Sequence, residues 1–388
     1  MLSVSNEPIN NSMALKFSPQ SVPPGCEPRC PGCAHRGWEA ERSESQKMEW
    51  LRFKLARWSQ IIEPMIGARG DARWNYRNKV CLRAEWDSQA SQWKLGLLLR
   101  SREKDEVVDI PNCPIHSERV RKSMRYFASR LPGPERLPLA FVAISGTLAT
   151  LVVKAKTFRP ETVSLEKHEL EKLGLTGLFI NLNPSAGQRV FSSRGWHKIC
   201  GEDLGRAPLT HGPESFQQLI PSLHQEALQA AENFLDPAPT DTVIDLYSGA
   251  GASLLIWKKR SARFIGVELG GEAVRCVEMN VGSGCCLRGR TSDRLPQLDE
   301  WRKNSQTGSL FVFANPPRLG LESEVTEWLG NASRPARIAY LSCSAGTLNR
   351  DLLFLEETGY TVKKIIPFDF FPQTSHVETL ALLAREFP

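Results

Sequence analysis

The sequence predicts an α/β protein, with a doubly wound, mostly parallel sheet over residues 211–388 and an α+β region before it over residues 21–210. From Thr242 onward apolar runs alternate with helical segments, the rhythm of βαβ units. The first run ends in Asp245-Leu-Tyr-Ser-Gly-Ala-Gly251, a glycine-rich turn of the kind that closes a strand beneath a ligand. Upstream, short strands mix with helices without that rhythm. Residues 1–20 are polar and turn-rich and are expected to be a flexible N-terminus.

In chain order, residues 39–62 space Leu51, Leu55, Trp58 and Ile62 as one stripe of an amphipathic helix. Residues 79–86 and 93–100 read as strands joined by a polar turn, and 139–144 and 151–154 as further strands. Composition shifts near residues 209–214. A helix over 222–234 then leads into strands over 242–246, 264–268, 310–314, 337–341, 362–368 and 379–383. Ligands of such sheets bind outside the carboxyl ends of the strands, so motifs at those ends should converge.

Hydrophobic residues make up 41% of the chain and charged residues 24%, ordinary for a globular protein. No apolar run is long enough to cross a membrane and no signal peptide precedes the first elements, which predicts a cytoplasmic protein without a membrane partner. The net charge of +6 is unevenly placed. Residues 34–130 hold 20 Lys and Arg against 13 Asp and Glu, which accounts for the whole excess and suits a phosphate-rich partner. Within that segment Trp74, Tyr76 and Trp86 are candidates to stack bases, or else core residues.

Glycines at 249 and 251 let the backbone approach a ligand, and the helix that follows favours polar or anionic groups. Glu268, ending the next strand, stands where an acid can hold a ribose hydroxyl pair. The Gly-x-Gly spacing lacks the fuller dinucleotide fingerprint, which favours S-adenosylmethionine over a nicotinamide cofactor. Asn315-Pro-Pro-Arg318 ends another strand. An Asn before two prolines makes a rigid loop with directed side-chain and carbonyl groups, suited to presenting a planar base to a methyl donor. The RNA cytosine-5 enzymes place a cysteine in this loop, and this chain has none there. The methyl acceptor must be activated elsewhere. C5 of uracil is a poor nucleophile until a thiolate adds to C6, and a base must later remove the C5 proton. Cys343 supplies the thiol, and Glu378 is the candidate base.

These residues together resemble the RNA 5-methyluridine methyltransferases. The resemblance rests on Asp245–Gly251, Asn315-Pro-Pro-Arg-Leu-Gly-Leu321, Ser342-Cys-Ser-Ala-Gly-Thr-Leu348 with Arg350-Asp351, and Asp369-Phe-Phe-Pro-Gln-Thr-Ser-His-Val-Glu378, matched in order and spacing. Ser215-Phe-Gln-Gln218 with Pro221 is similar to an upstream family motif, and Trp74–Lys79 to one of the middle region. The resemblance covers roughly Cys26 to the C-terminus. It implies a Rossmann-like class I methyltransferase domain, with Cys343 as nucleophile and Glu378 as general base. It further implies cofactor contacts from Gln218, Asp245, Tyr247, Gly249, Gly251, Glu268 and Asn315, and substrate contacts from Asn315, Pro316 and Arg318. Three positions depart from the commonest pattern: Asn315 where many members have Asp and some have Asn, Ile220 where the family motif has Asn, and Ala252-Ser-Leu254 where a bulky aromatic is usual.

Ten cysteines are spread along the chain. Cys26, Cys30 and Cys33 cluster, and Cys113 before Pro114 is a plausible fourth; four thiolates can hold a [4Fe–4S] cluster or a zinc ion. Ribosomal members of the family carry such a cluster. The Cys-x3-Cys-x2-Cys spacing is also that of radical S-adenosylmethionine enzymes, although Gly32 stands where those usually have an aromatic. Cys81, Cys200, Cys276, Cys285 and Cys286 sit in apolar or mixed surroundings and read as incidental thiols. With a cluster and little sequence before Cys26 for an oligonucleotide-binding barrel, the layout points to 23S ribosomal RNA, with a flipped loop uridine as target. Transfer RNA is the alternative substrate, a non-catalytic RNA-binding protein on the same fold the alternative of another class, and a monomer the expected state.

Overall fold

A computed structural model describes residues 23–385, apart from 103, 164, 166, 186–188, 207–208, 262 and 304–307; the expected flexible segment 1–20 lies outside the described residues. The chain opens with turns over the first three cysteines, then helix α1 (Ala40–Lys54). The predicted single helix to residue 62 breaks at Leu55, and a tighter turn over Ala56–Ile61 continues its stripe. Leu51, Leu55, Trp58 and Ile62 are all buried as the spacing predicts. Strand β1 (Ile66–Gly67) follows.

The next seven strands form one sheet: β2 (Lys79–Asp87), β3 (Gln92–Leu99), β4 (Glu106–Asp109), β5 (Leu139–Ser145), β6 (Leu148–Val153), β7 (Gly177–Leu182) and β8 (Trp196–Gly201), in the order β4-β3-β2-β5-β6-β7-β8. Helix α2 (Glu118–Arg130) starts at a Ser117 cap and lays Val120, Met124 and Phe127 on the sheet face made by Val80, Leu82, Leu95 and Val142. Helix α3 (Lys167–Lys172) adds Leu170 to that core.

Helix α4 (Pro221–Leu235) begins with proline in its first turn, where a missing N–H costs nothing. It leads into an eight-stranded sheet with β9 (Thr242–Leu246), β10 (Arg263–Glu268), β11 (Cys286–Arg288), β12 (Leu310–Ala314), β13 (Arg337–Ser342), β14 (Tyr360–Asp369) and β15 (Glu378–Arg385). The order is β1-β14-β15-β13-β12-β9-β10-β11; β9 to β13 are parallel, and β15 lies antiparallel between β13 and β14. This is the doubly wound α/β sheet expected from the βαβ rhythm. Helices α4, α5 (Leu254–Arg260) and α6 (Gly271–Asn280) cover one face. Helices α7 (Thr291–Lys303), α8 (Ser323–Glu327) and α9 (Ala345–Glu357) cover the other, together with α1. Segment 40–67, expected with the α+β region, packs instead with the second sheet: β1 pairs with β14 through Ile66↔Phe368 and Gly67↔Asp369. No described helix is long and apolar enough to cross a membrane.

Candidate active site

The glycine-rich turn leaves β9 with Tyr247, Gly249 and Gly251 all at positive φ (63°, 56° and 91°). At Gly251 a Cβ would stand 2.9 Å from the Val281 side chain, so only glycine fits there. At Gly249 a Cβ would meet nothing within 4 Å, so the turn opens onto free space. Glu268, ending β10, faces that space. Its Oε2 accepts from the Gly249 N–H at 3.0 Å and its Oε1 from the Gly270 N–H at 2.7 Å, which aims the carboxylate along the turn. Asp245 sits underneath and is fully buried, accepting from the Trp257 indole N–H at 2.9 Å; burial pushes its carboxyl up to about 7. Tyr247 donates to Glu322 at 3.3 Å.

Asn315 directly follows β12, and its N–H bonds the Leu246 carbonyl at 3.2 Å, tying its loop to the glycine-rich turn. The loop is braced from α9. Asp351, buried, accepts from Leu321 N–H and from the buried Tyr340 hydroxyl, at 3.0 and 2.8 Å. Arg350 donates to the Leu319 and Leu321 carbonyls. The braced loop buries Pro316 and leaves Pro317, Arg318 and Leu319 exposed.

Cys343 directly follows β13, one residue before Ser344 caps α9. The antiparallel register Ser342↔Thr379 brings Cys343 beside Glu378, the first residue of β15. The sequence motifs lie 35 positions apart, and the sheet closes that gap. Burial pushes the Cys343 thiol up, the Glu378 charge adds to this, and the Arg318 guanidinium opposes it. Glu378 is 4% exposed. Burial raises its carboxyl to about 7, against the Gln218 hydrogen bond and the Arg318 charge. Gln218 Nε2 donates to Glu378 Oε2 at 3.2 Å, while its own Oε1 is buried without a partner. The site thus gathers a thiol, a carboxyl poised near neutrality, a guanidinium and an amide oxygen without a partner among the described residues.

Sequence reasoning missed what holds Gln218. The Glu272 carboxylate, on α6, accepts from the N–H groups of Glu214 and Ser215 at 3.0 and 2.9 Å. Lys79, on β2, donates to the carbonyls of the same two residues. The segment before Gln218 is therefore gripped by β2 on one side and by α6 on the other. The departure at Ile220 has a packing reason: the side chain is buried in the core under α4.

Cys26, Cys30, Cys33 and Cys113 line one pocket with Trp74, Ile115 and Gln373. Burial pushes the Cys26 and Cys30 thiols up and Cys33 to about 12, and each is raised further by its neighbouring cysteines. Among the described residues, no three ligating side chains converge as closely as one metal ion requires. Zinc draws its sulfurs to ~2.3 Å, whereas a four-iron cluster seats each thiolate on a different iron and spreads them wider. Four thiols lining one pocket form a donor set that either group could use. Tyr76 is 8% exposed and belongs to the core, whereas Trp74 is half-buried against it. Trp86 packs edge-on against Trp93.

Comparison with known proteins agrees with this geometry. The model of the tRNA (uracil-5-)-methyltransferase family matches residues 290–386, the stretch that carries Asn315, Cys343 and Glu378. An RNA methyltransferase of Listeria innocua is 26% identical over 94% of this chain and 84% of its own. The 23S rRNA (uracil(1939)-C(5))-methyltransferase RlmD of Hahella chejuensis is 27% identical over 96% of this chain and 85% of its own. Among solved structures, the Pyrococcus abyssi tRNA (uracil-54, C5)-methyltransferase in complex with S-adenosyl-L-homocysteine superposes with a TM-score of 0.67 at 20% identity, covering 92% of this chain and 87% of that one. At that identity the likeness speaks for the fold.

Proposed function

We propose that this chain, which belongs to the RNA uracil-5 methyltransferase family, methylates one uridine of 23S ribosomal RNA through a covalent adduct on Cys343. The enzyme transfers a methyl group from S-adenosylmethionine to C5 of uridine in RNA. The observation that carries the finer reading is the pairing of Cys343 with Glu378 across the β13–β15 register, with Gln218 and Arg318 beside them.

In this reading the Cys343 thiolate adds to C6 of the base, and the C5–C6 electron pair moves into an enolate. Arg318 balances the charge around the thiol and the base. S-adenosylmethionine, when bound, would supply the methyl group that C5 takes; Glu268 would hold its ribose hydroxyls, Gly249 and Gly251 would keep the turn open for it, and Asp245 would support the turn from below. Glu378 removes the C5 proton, the C5–C6 double bond re-forms, and the C6–sulfur bond breaks to return Cys343. Gln218 turns its amide N–H to Glu378, which leaves its oxygen for a substrate donor. Asn315, Pro316 and Arg318 form the platform for the ring.

The ribosomal substrate is supported by the near full-length likeness to a relative named for 23S rRNA. Cys26, Cys30, Cys33 and Cys113 would hold a [4Fe–4S] cluster, which when bound pins the N-terminal turns to the loop of Cys113. Purified enzyme with S-adenosylmethionine is expected to form 5-methyluridine in 23S RNA and not in transfer RNA. Methylation of transfer RNA alone would overturn the substrate assignment, and mapping 5-methyluridine in RNA from a deletion strain would identify the nucleotide.

A further inference from the structure

The loop that delivers Glu378 is held largely by residues about three hundred positions or more upstream. β14 ends at Asp369 and β15 begins at Glu378, so residues 370–377 set where the base stands. Lys47 on α1 and Asp369 are both fully buried, and Lys47 Nζ lies 2.6 Å from Asp369 Oδ1. The same ammonium donates to the Phe371 carbonyl at 3.1 Å. The Pro372 carbonyl accepts from Ser43 Oγ at 3.3 Å and from Arg73 Nη2 at 3.2 Å. Gln373 accepts on its carbonyl from the His35 N–H and donates its side-chain amide to the Arg73 carbonyl, each at 3.0 Å. Arg73 also faces Asp369 Oδ2 at 3.6 Å.

A lysine without exposed surface is costly unless its bonds are worth more than its hydration. Here the lysine bonds the strand end at Asp369 and the Phe371 carbonyl, and Ser43, Arg73 and His35 extend the grip to Pro372 and Gln373. Cys343 takes no part in this network. It leaves β13, and its neighbours Ser342 and Ser344 form their own local bonds at the start of α9.

We propose that Lys47, with Ser43 and Arg73, positions the general base: through Asp369 and the carbonyls of Phe371 and Pro372, these residues fix the loop from which Glu378 projects, and they act on elimination rather than on thiol addition. Lys47 and its partners are positioning residues, since none touches substrate or cofactor. The inference rests on the assignment of Glu378 as base.

The network therefore makes a step-specific prediction. Full-length protein is mixed with substrate RNA and S-adenosylmethionine, and the denaturant-stable protein–RNA adduct is followed together with 5-methyluridine. Lys47→Met is expected to accumulate adduct on ordinary uridine RNA and to release product on the order of ten- to a hundredfold more slowly, the cost of a displaced catalytic group. Its rate of adduct formation with 5-fluorouridine RNA, where the C5 fluorine blocks release, should match wild type. Lys47→Met/Asp369→Asn removes both buried charges and should recover thermal stability without recovering release. Ser43→Ala, which loses only one loop bond, should show a smaller accumulation. Glu378→Gln is the control. If it forms no adduct on uridine RNA, the assignment of the base fails. If it does, while the Ser43 variant and the double variant release product at the wild-type rate, the positioning role is overturned. A uniform loss of addition and elimination in folded variants would also overturn it, leaving the network a general scaffold.

Discussion

Cys343 and the four cysteines near the N-terminus present the same side chain in opposite company. Cys343 stands with one carboxyl and one guanidinium at the start of a helix. Cys26, Cys30, Cys33 and Cys113 stand with one another, and Cys113 adds to the upward push that burial gives each of the other three. A lone thiol beside a cation and a titratable acid is arranged to form and break a bond to carbon. Thiols in one pocket, whose charged forms would repel one another, would be discharged together by the proposed cluster. The neighbours decide the chemistry.

The sharpest way to break this comparison is at Cys343. Cys343→Ser should lower methyl transfer by roughly 10⁴-fold or more, as loss of a nucleophile does elsewhere, and abolish the adduct with 5-fluorouridine RNA. Its iron content should equal wild type. A variant that still turns over rapidly would remove the thiol from the mechanism.

Glu378→Gln should slow product release by about 10²–10⁴-fold, the usual contribution of a positioned base, with adduct accumulating on uridine RNA. The wild-type enzyme tests the same assignment through pH. Only the carboxylate form of Glu378 can take the C5 proton, and burial holds that carboxyl near 7. Release measured in single turnover should rise as pH climbs through about 7 and level off above it. Because burial also raises the Cys343 thiol, adduct formation should rise with pH as well, at higher values. A release rate that falls across neutral pH would exclude a carboxylate base.

Cys33→Ser belongs on the other side of the comparison. It should strip iron from protein purified anaerobically and lower the melting temperature, while costing about 10- to 100-fold in turnover, the range seen when groups around a site rather than in it are removed. Adduct formation with 5-fluorouridine RNA should survive. Colourless wild-type protein with bound zinc would refute the cluster.

How much of this was legible beforehand depends on the range over which each residue acts. The strands β9, β10, β12 and β13 were readable because buried parallel strands are continuous apolar runs between turns. The motifs at their ends were readable because strand ends converge by topology. The short strands β1, β4 and β11 carry too few residues for a pattern, and β1 in addition pairs with β14, about three hundred positions away. Lys47 did leave a signal, since it sits on the buried stripe of α1 with Ser43 and Leu51, where a lysine needs a partner. Nothing local names Asp369 as that partner. The grip of Glu272 and Lys79 on residues 214–215 is equally illegible, because it uses backbone groups that every residue has.

The smallest expected effect checks that company, and not the thiol itself, separates the two sets. Cys81 lies on β2 and is exposed, outside both groups. Its side chain makes neither the ring of neighbours found around Cys33 nor the pairing found at Cys343. Cys81→Ser should therefore change stability by no more than about 0.5 kcal/mol, as surface substitutions usually do, and leave turnover, adduct yield and iron content at wild-type values. The neighbouring Lys79 makes this a strict control, since it holds the segment that carries Gln218. A Cys81 variant that lost iron would place a fifth thiol in the metal site. One that lost turnover with iron intact would mean that β2 reaches the reacting base more directly than its grip on residues 214–215 implies.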